Sequence, residues 1–375
     1  QAVRLKPPGD RRRMACLVEP QWPCSLGVPA GHDREPVARS CLHRELPVPL
    51  PEDGCAYCCV MYGSNPEYLL LALVLARRVA VLGDRHPLLI LPTQDVPAPF
   101  LEALRRAGCH VLGATEYQWM HPMLLRSPKG RHSPVLTKLR CLGLAGLKKL
   151  ALLDLDLLPR RRLDALFDFR APAAMLMPAN LFYVEPLAGG APVPREWLEV
   201  SWRTGAGGRV NAGVCVLEPD PSLLEYITQQ VSPARCLQAV DGHADAIGDV
   251  FGAPWRKSWT PEEDALTRGF LQRYPEAHWT HLGAAWNYEV QGDLEYYPEM
   301  PLSKEHSLLD LDRDVAVLHF SGSRKPSWYA WDVGRGELSV AEVCQWVSES
   351  HAADDPRGIV SAATREWLEA FQELR

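Results

Sequence analysis

Short apolar runs that alternate with amphipathic helical segments constrain the fold of this chain more than any other feature. The first unit is a strand-like run at Ala56–Tyr62, followed by a turn and a helix that extends to about Val81. Comparable runs predict strands at Leu88–Leu91, Leu150–Leu153 and Val210–Leu217. Strands that alternate with helices form open, mostly parallel sheets with helices on both faces. The sequence therefore predicts an α/β fold whose ligands bind at the carboxyl ends of the strands.

The start of the first helix carries a clear local signal. Ser64 and Glu67 have the spacing of a capping box, and Asn65 followed by Pro66 suits a first helical turn. Further strands are predicted at His110–Leu112, Ala173–Met177 and Val315–Phe320. Further helices are predicted at Ala98–Ala107, Leu136–Leu144, Ser222–Gln230, Glu262–Gln272, Ser339–Ser348 and Ser361–Leu374.

Charge and hydropathy narrow the range of partners. The 375 residues include 40 basic and 46 acidic side chains, which gives a formal net charge of −6. A general nucleic-acid-binding protein would carry a strong basic excess, so we expect no nucleic-acid partner. The longest strong apolar run, Leu69–Ala76, is far shorter than the ~20 residues that a membrane span needs. We therefore expect no membrane span in this chain.

The cysteines favour a reducing environment. Cys55, Cys58 and Cys59 cluster as C-x-x-C-C, but no second C-x-x-C completes a four-ligand zinc site. We interpret these three as small buried hydrophobic residues. Eleven cysteines without a paired pattern favour a cytoplasmic location, with the Golgi as the alternative if a segment precedes Gln1.

Proline content and helical periodicity divide the chain into three predicted parts. Residues 1–52 are rich in proline, lack periodicity and predict an irregular N-terminal arm. Residues 53–332 hold the alternating strands and helices and are expected to form one domain. Residues 333–375 form a helical tail in which Trp367 and Phe371 share one face. We expect that face to pack onto the main domain.

An aspartate pair directly follows the predicted strand Leu150–Leu153. Asp154 and Asp156 stand two residues apart, so in an extended segment both side chains point to one face. Two carboxylates with open positions beside them suit magnesium or manganese that bridges a diphosphate. The spacing alone is weak evidence, because Asp310 and Asp312 repeat it without a buried strand before them. The strand end is the distinguishing feature, since a carboxylate that leaves water costs several kcal/mol unless it is paired.

Several short segments then stand in one order along the chain. They are N-P-E-Y at 65–68, L-T-K-L at 136–139, L-D-L-D at 153–156, N-A-G at 211–213 and H-F-S-G-S-R-K-P at 319–326. Together they resemble glycosyltransferase family 8, and within it the glycogenin-like members. The resemblance implies a GT-A fold, with a single Rossmann-like, mostly parallel central sheet and helices on both faces, to which the helical periodicity adds the C-terminal tail.

The resemblance also implies which residues form the site. Those expected to hold the donor nucleotide, sugar and diphosphate are Ser64, Asn65, Tyr68, Lys138, Asn211, Ala212, Gly213, Gly322 and Lys325. Those expected to hold the cation, manganese with magnesium as the alternative, are Asp154, Asp156 and His319.

One segment departs from the family pattern. The family's Asp-Gln pair aligns with Glu262 and Glu263, which are followed by Asp264. We take these three as catalytic candidates, with Glu263 either stabilising an oxocarbenium-like transition state or attacking the anomeric carbon. The alternative is that they are acids at a helix N-terminus that complement the helix dipole.

The resulting functional prediction is a retaining, manganese-dependent hexosyltransferase. It would move glucose or galactose from a UDP-sugar to a carbohydrate or protein acceptor, with residues 178–209 as a loop over the donor. One alternative is a catalytically degenerate glycosyltransferase that binds nucleotide sugars as a scaffold. Another is a haloacid-dehalogenase-type phosphatase, although Leu158 stands where that motif has Thr or Val. The oligomeric state is left open.

Overall fold

The computed structural model describes most of the chain downstream of the predicted arm. The described residues are 51–115, 133–177, 187–204, 209–231, 247–250, 253–255, 260–290, 308–321, 325–351, 355 and 357–374. Nearly all of the predicted arm, residues 1–52, lies outside these ranges, as does Gly322. Within them, no helix combines the length and the apolar character that crossing a membrane requires.

A mainly parallel central sheet forms the middle of the described part of the chain. Its strands are β1 (Cys55–Met61), β2 (Leu88–Pro92), β3 (His110–Val111), β4 (Lys149–Leu153), β6 (Ala173–Met177), β7 (Arg209–Leu217) and β10 (Thr280–His281). They lie in the order β3-β2-β1-β4-β7-β6-β10. Only β7 runs antiparallel to its neighbours, β4 and β6. The predicted α/β fold with a mostly parallel sheet is confirmed.

Shorter strands complete the β-structure of the described residues. They are β5 (Leu157–Pro159), β8 (Ile247–Val250), β9 (Ala253–Trp255), β11 (Tyr288–Glu289) and β12 (Val317–His319). β12 pairs with β5 on one side and with β11 on the other, and His319 lies opposite Leu157. This small sheet therefore brings His319, late in the chain, beside the segment that follows β4.

Helices cover both faces of the sheet and form the tail. The described α-helices are α1 (Pro66–Leu82), α2 (Ala98–Arg106), α3 (Arg195–Thr204), α4 (Pro221–Gln230), α5 (Pro261–Arg273), α6 (Ser327–Arg335), α7 (Val340–Ser350) and α8 (Ile359–Gln372). Three described segments, Ser133–Gly143, Leu163–Asp168 and Ala284–Trp286, are 3-10 helices. Every helix predicted from periodicity is present, within a few residues at each end.

The predicted start of α1 is wrong by one residue. Asn65, not Ser64, is the N-cap: its backbone is extended, with φ −69° and ψ 118°, and its side chain accepts from the Glu67 amide at 3.0 Å. Pro66 then takes the first helical position, where its missing N–H removes no helix bond. Asn65 therefore closes the helix end itself, and the expected capping box at Ser64 does not form.

The interpretation of residues 178–209 as a loop is also partly wrong. Within that span the structure contains α3, and Leu198 from this helix is fully buried in the main core. The flanking glycines and prolines obscured an amphipathic segment that packs through Leu198 and Trp197. Residues 178–186 and 205–208 lie outside the described ranges.

The C-terminal helices pack onto the main domain, as the sequence predicted. Trp367 is fully buried in a cluster with Leu71 and Val74 of α1. Helix α6 runs through residue 332, the predicted end of the domain. The boundaries 53–332 and 333–375 therefore stay predictions, while the contact between tail and domain is established.

The N-terminus of α4 provides a test of pH-dependent stability. Asp220 accepts from the amides of Ser222 (2.9 Å) and Leu223 (3.1 Å) and from the hydroxyl of Tyr274. Burial alone would raise the pKa of Asp220, but these hydrogen bonds lower it below its usual value. A carboxyl with a lowered pKa stabilises the folded state above the unfolded pKa of about 3.9 and loses that effect as the pH falls through the folded value.

We predict that Asp220→Ala lowers the free energy of unfolding by about 1–2 kcal/mol at pH 7. The difference from wild type should shrink as the pH is lowered below about 4, and Asp220→Ser, which can still cap, should lose less. Urea unfolding over this pH range measures both effects. A difference that stays constant to low pH would show that the charged cap is not its source.

Candidate active site

Two aspartates and a histidine converge at the carboxyl end of β4. Asp154 and Asp156 follow the strand, and His319 ends β12. Backbone hydrogen bonds fix this segment, from the Asp154 amide to the Gly213 carbonyl (2.9 Å) and from the Phe320 amide to the Asp156 carbonyl (3.0 Å). One ligand atom from each of the three side chains lies within 4.8 Å of the others. The structure thus brings together all three predicted metal ligands.

A hydrogen bond on the side away from the two aspartates fixes the orientation of the His319 ring. Its Nδ1 lies 2.8 Å from Oδ1 of Asn287, whose Nδ2 donates to Oδ1 of Asn211 at 2.8 Å. Because Asn287 donates through its nitrogen, its oxygen accepts, and Nδ1 of His319 carries the proton. Nε2 is left to face Asp156 Oδ1 at 3.4 Å and Asp154 Oδ2 at 3.9 Å. This is the arrangement that holds a metal-binding histidine in one tautomer.

Position 213 requires glycine because the His319 ring lies too close to it for any side chain. A Cβ added at Gly213 would lie 2.4 Å from Cε1 of His319 and 3.0 Å from Oδ1 of Asn211. Asn211 accepts from the Gly213 amide at 2.8 Å and donates to Glu289 at 3.0 Å. The side chain of Asn211 therefore forms hydrogen bonds inside the protein, and its expected contact with a sugar stays a prediction.

Lys138 links the aspartate pair to helix α5. Its Nζ lies 2.8 Å from Asp154 and 3.3 Å from Oε1 of Glu262. Burial alone would lower the pKa of Lys138, but the two carboxylates raise it well above its usual value, so the amine stays charged. The second oxygen of Glu262, Oε2, is buried and has no hydrogen-bond partner among the described residues.

The two aspartates differ in their electrostatic surroundings. Burial raises the pKa of Asp154, and the neighbouring charge of Asp156 adds to the rise while Lys138 opposes it. Burial would raise the pKa of Asp156 as well, but the charges of Lys325 and His319 bring it well below its usual range. The pKa of His319 is raised, because the nearby carboxylates outweigh its burial. The two aspartates are thus balanced by different cations, Asp154 by Lys138 and Asp156 by Lys325.

The three acids at the start of α5 occupy different environments. Glu263 is buried, and its two oxygens accept from Nε of Arg209 (2.8 Å) and from the Ala212 amide (3.1 Å). Asp264 acts electrostatically on Arg268, one helical turn further on. Of the three catalytic candidates, Glu262 is the one that contacts Lys138, and Lys138 in turn contacts Asp154 of the metal cluster.

The loop after β1 reaches the same region from the other side. Ser64 and Asn65 are exposed, while Tyr68 packs edge-on against Tyr62 with ring centroids 5.6 Å apart. Burial raises the pKa of Tyr68, and the charges of Lys325 and Asp156 also act on it, which places its hydroxyl near them. The expected roles of Ser64, Asn65 and Tyr68 toward a nucleotide stay predictions.

Lys325 is the cation on the far side of the aspartate pair. It forms an ion pair with Asp156 and donates to the carbonyl of Phe320 at 2.9 Å. The described part of the chain includes Lys325 but not Gly322, the other residue expected to hold a diphosphate.

Sequence reasoning did not reveal the contacts that support the ligands. Asn287 directly precedes β11, the strand that pairs with β12, and an asparagine at that position is the signal that could have found it. Arg209 begins β7 and pairs with Glu263, 54 residues away, and no local pattern indicates this contact. The first contact depends on the pairing of β11 with β12 and the second on the packing of α5 against β7, and only the tertiary structure reveals either.

Comparison with known proteins gives one sequence relative and no family model that matches. The chain is 28% identical over 287 residues to uncharacterized protein R707 of Acanthamoeba polyphaga mimivirus, which corresponds to 76% of this chain and 86% of the viral protein.

The similar solved structures include several glycosyltransferases. One is the bifunctional WbbM (14% identity, 74% of this chain and 48% of that chain, TM-score 0.48). Others are the galactosyltransferase LgtC with donor and acceptor sugar analogs (16%, 75% and 96%, 0.44) and mouse xyloside xylosyltransferase 1 (15%, 71% and 98%, 0.40). The chain spans about half the length of WbbM. At these identities the likeness concerns the fold alone.

We predict that Gly213 and His319 are energetically coupled. Gly213→Ala should lower the free energy of unfolding by about 1–3 kcal/mol, because the added methyl group displaces the imidazole ring. In a His319→Ala background the same change should cost much less, since the ring is gone. Denaturant unfolding of the wild type, both single variants and the double variant completes the cycle. Equal costs in both backgrounds would contradict the close contact.

Proposed function

We propose that this chain is a retaining, manganese-dependent glycosyltransferase that moves a hexose, glucose or galactose, from a UDP-sugar to a carbohydrate or protein acceptor. One observation carries the proposal: Asp154, Asp156 and His319, from distant parts of the chain, place ligand atoms within 4.8 Å of one another at the carboxyl end of a parallel strand. The family-8-like order of the sequence motifs supports it independently. Such strand ends are where open α/β sheets bind ligands.

The donor set fits a divalent cation of the manganese type. Two carboxylates and one imidazole form an oxygen-rich set with a single nitrogen, which suits manganese better than the softer ions that prefer thiolates. The hydrogen bond from His319 to Asn287 already directs Nε2 toward the two carboxylates. Positions not occupied by protein ligands would be available to the phosphates of a donor.

A cation bound by these three residues would neutralise the diphosphate of the donor and favour its departure. The protein supplies further charge through Lys325, whose amine lies beside Asp156 and can hydrogen-bond to a phosphate oxygen. Lys138 keeps Asp154 and Glu262 in fixed positions by contacting both. These preset charges need no rearrangement when the leaving group develops its negative charge.

Glu262 is better placed than Glu263 to meet the transferred sugar. Oε2 of Glu262 is buried and has no partner in the described structure, so its capacity to accept a hydrogen bond is not used within the described protein. Both oxygens of Glu263 are held by Arg209 and by the Ala212 amide, so Glu263 is suited to positioning β7 rather than to attack. We therefore revise the initial hypothesis and assign the sugar-facing role to Glu262.

A matched pair of variants tests the metal role. Asp156→Asn should abolish manganese-dependent hydrolysis of UDP-glucose, UDP-galactose, UDP-xylose and UDP-glucuronic acid, because it removes a ligand charge without changing size. Asp312→Asn, in the exposed aspartate pair of equal spacing, should retain full activity. Circular dichroism checks that both variants fold.

Retained hydrolysis by Asp156→Asn would refute the metal assignment. Wild-type protein that binds UDP-sugars but turns over none of them, with or without acceptors, would favour the scaffold alternative.

A second pair of variants separates the two glutamates. Glu262→Gln should lower kcat about a hundredfold or more, since it changes the carboxyl group that contacts Lys138 beside the metal cluster. Glu263→Gln should keep most of kcat but lower the free energy of unfolding by about 1–3 kcal/mol, because the charged hydrogen bond with Arg209 is weakened. Steady-state kinetics and urea unfolding measure the two effects. The reverse pattern would restore Glu263 as the catalytic carboxylate.

A further inference from the structure

A second group of potential metal ligands lies at the amino ends of β1 and β2, opposite the carboxyl ends that carry the candidate active site. Asp53 precedes β1, Cys55 is its first residue, and His86 stands just before β2. β1 and β2 are parallel neighbours, with Tyr57 opposite Leu88, so their amino ends lie together. A carboxylate oxygen, a sulfur and an imidazole nitrogen from the three residues lie within 4.8 Å of one another.

Local backbone geometry creates this convergence. Gly54, between Asp53 and Cys55, has a φ of 66°, a left-handed conformation that other residues rarely adopt. The turn lets Oδ1 of Asp53 accept from the Cys55 amide at 3.1 Å, which leaves Oδ2 facing His86 Nε2 at 2.8 Å. The Asp53 carboxylate and the Cys55 thiol are thus held on the same side of the His86 imidazole.

His86 is oriented by a carboxylate on its other nitrogen. Its Nδ1 lies 2.7 Å from Oδ1 of Asp164, which also accepts from the hydroxyl of Tyr57 at 2.9 Å and from the Arg85 amide at 3.1 Å. An aspartate with this many donors acts as an acceptor, so Nδ1 donates and Nε2 points to Asp53 and Cys55. A carboxylate behind the distal nitrogen is the usual support of a metal-binding histidine.

The donor types indicate which ion would bind. A thiolate and an imidazole with one carboxylate favour zinc over magnesium, calcium or manganese. Cys55 and the His86 ring are buried, whereas the Asp53 side chain is 51% exposed, which gives an ion a path from solvent and leaves room for a water ligand. The ion would take the place of the proton between His86 and Asp53, and the Cys55 thiol would release its proton to become a ligand.

This group is separate from the candidate active site. Cys55 lies opposite Lys149 at the start of β4, and Asp154 follows five residues later, roughly 16 Å along the strand. We propose that Asp53, Cys55 and His86 form a second cation site, of zinc type, that ties the amino ends of β1 and β2 together. Cys55 would then serve as a metal ligand, whereas Cys58 and Cys59 are core residues.

Cobalt titration of the full chain under reducing conditions tests the site, because a thiolate bound to Co²⁺ gives a charge-transfer absorption band that oxygen and nitrogen ligands do not give. The wild type should show this band, and added zinc should displace the cobalt and so remove the band. Cys55→Ala should abolish it. Cys59→Ala, in the same strand and on the same face, should keep it.

Two further variants keep the test valid if Cys55→Ala folds poorly. Asp53→Asn changes a half-exposed ligand, and Asp164→Asn changes the support of His86; each should weaken cobalt affinity about 10–100-fold. Asp156→Asn should leave the band unchanged, so failure of the active-site assignment would not affect this result. A wild type without the band, or a band that survives in Cys55→Ala, would overturn the proposal.

Discussion

Two half-buried carboxylates at the end of β4 are the constraint on which the rest of the site depends. Asp154 and Asp156 carry like charges in a place that water reaches only in part, a situation that is costly unless opposite charges compensate. Lys138 and Lys325 supply positive charge from two separate parts of the chain, and Nε2 of His319 faces Asp156 from a third. The fold around β4 can be understood as the means of bringing these cations to one point.

Steric fit is as important as charge in this arrangement. The imidazole of His319 occupies the space that a side chain at position 213 would need, and only glycine leaves that space free. Asn287 and Asn211 then form a buried hydrogen-bonded chain that fixes the ring. A ring held in this way can present one nitrogen to a cation without first being ordered, which reduces the entropic cost of binding.

The sequence was sufficient to predict the main strands and the ligand motifs because each of these depends on residues that are close together in the chain. Apolar runs predicted β1, β4 and β7, and the aspartate pair and His319 could be identified from short motifs. The contacts of Asn287 with His319 and of Arg209 with Glu263 could not, because they join residues that are far apart in the chain, the first through strand pairing and the second through packing of a helix on a strand. For the same reason the sequence assigned the reactive role to Glu263, whereas the hydrogen bonds favour Glu262.

The most direct test of this account is anomalous scattering at the manganese edge from crystals grown with Mn²⁺ and UDP. We expect one anomalous peak bounded by Asp154, Asp156 and Nε2 of His319, with the diphosphate of UDP between that peak and Lys325. A peak elsewhere, or UDP bound away from the carboxyl end of β4, would contradict the central claim.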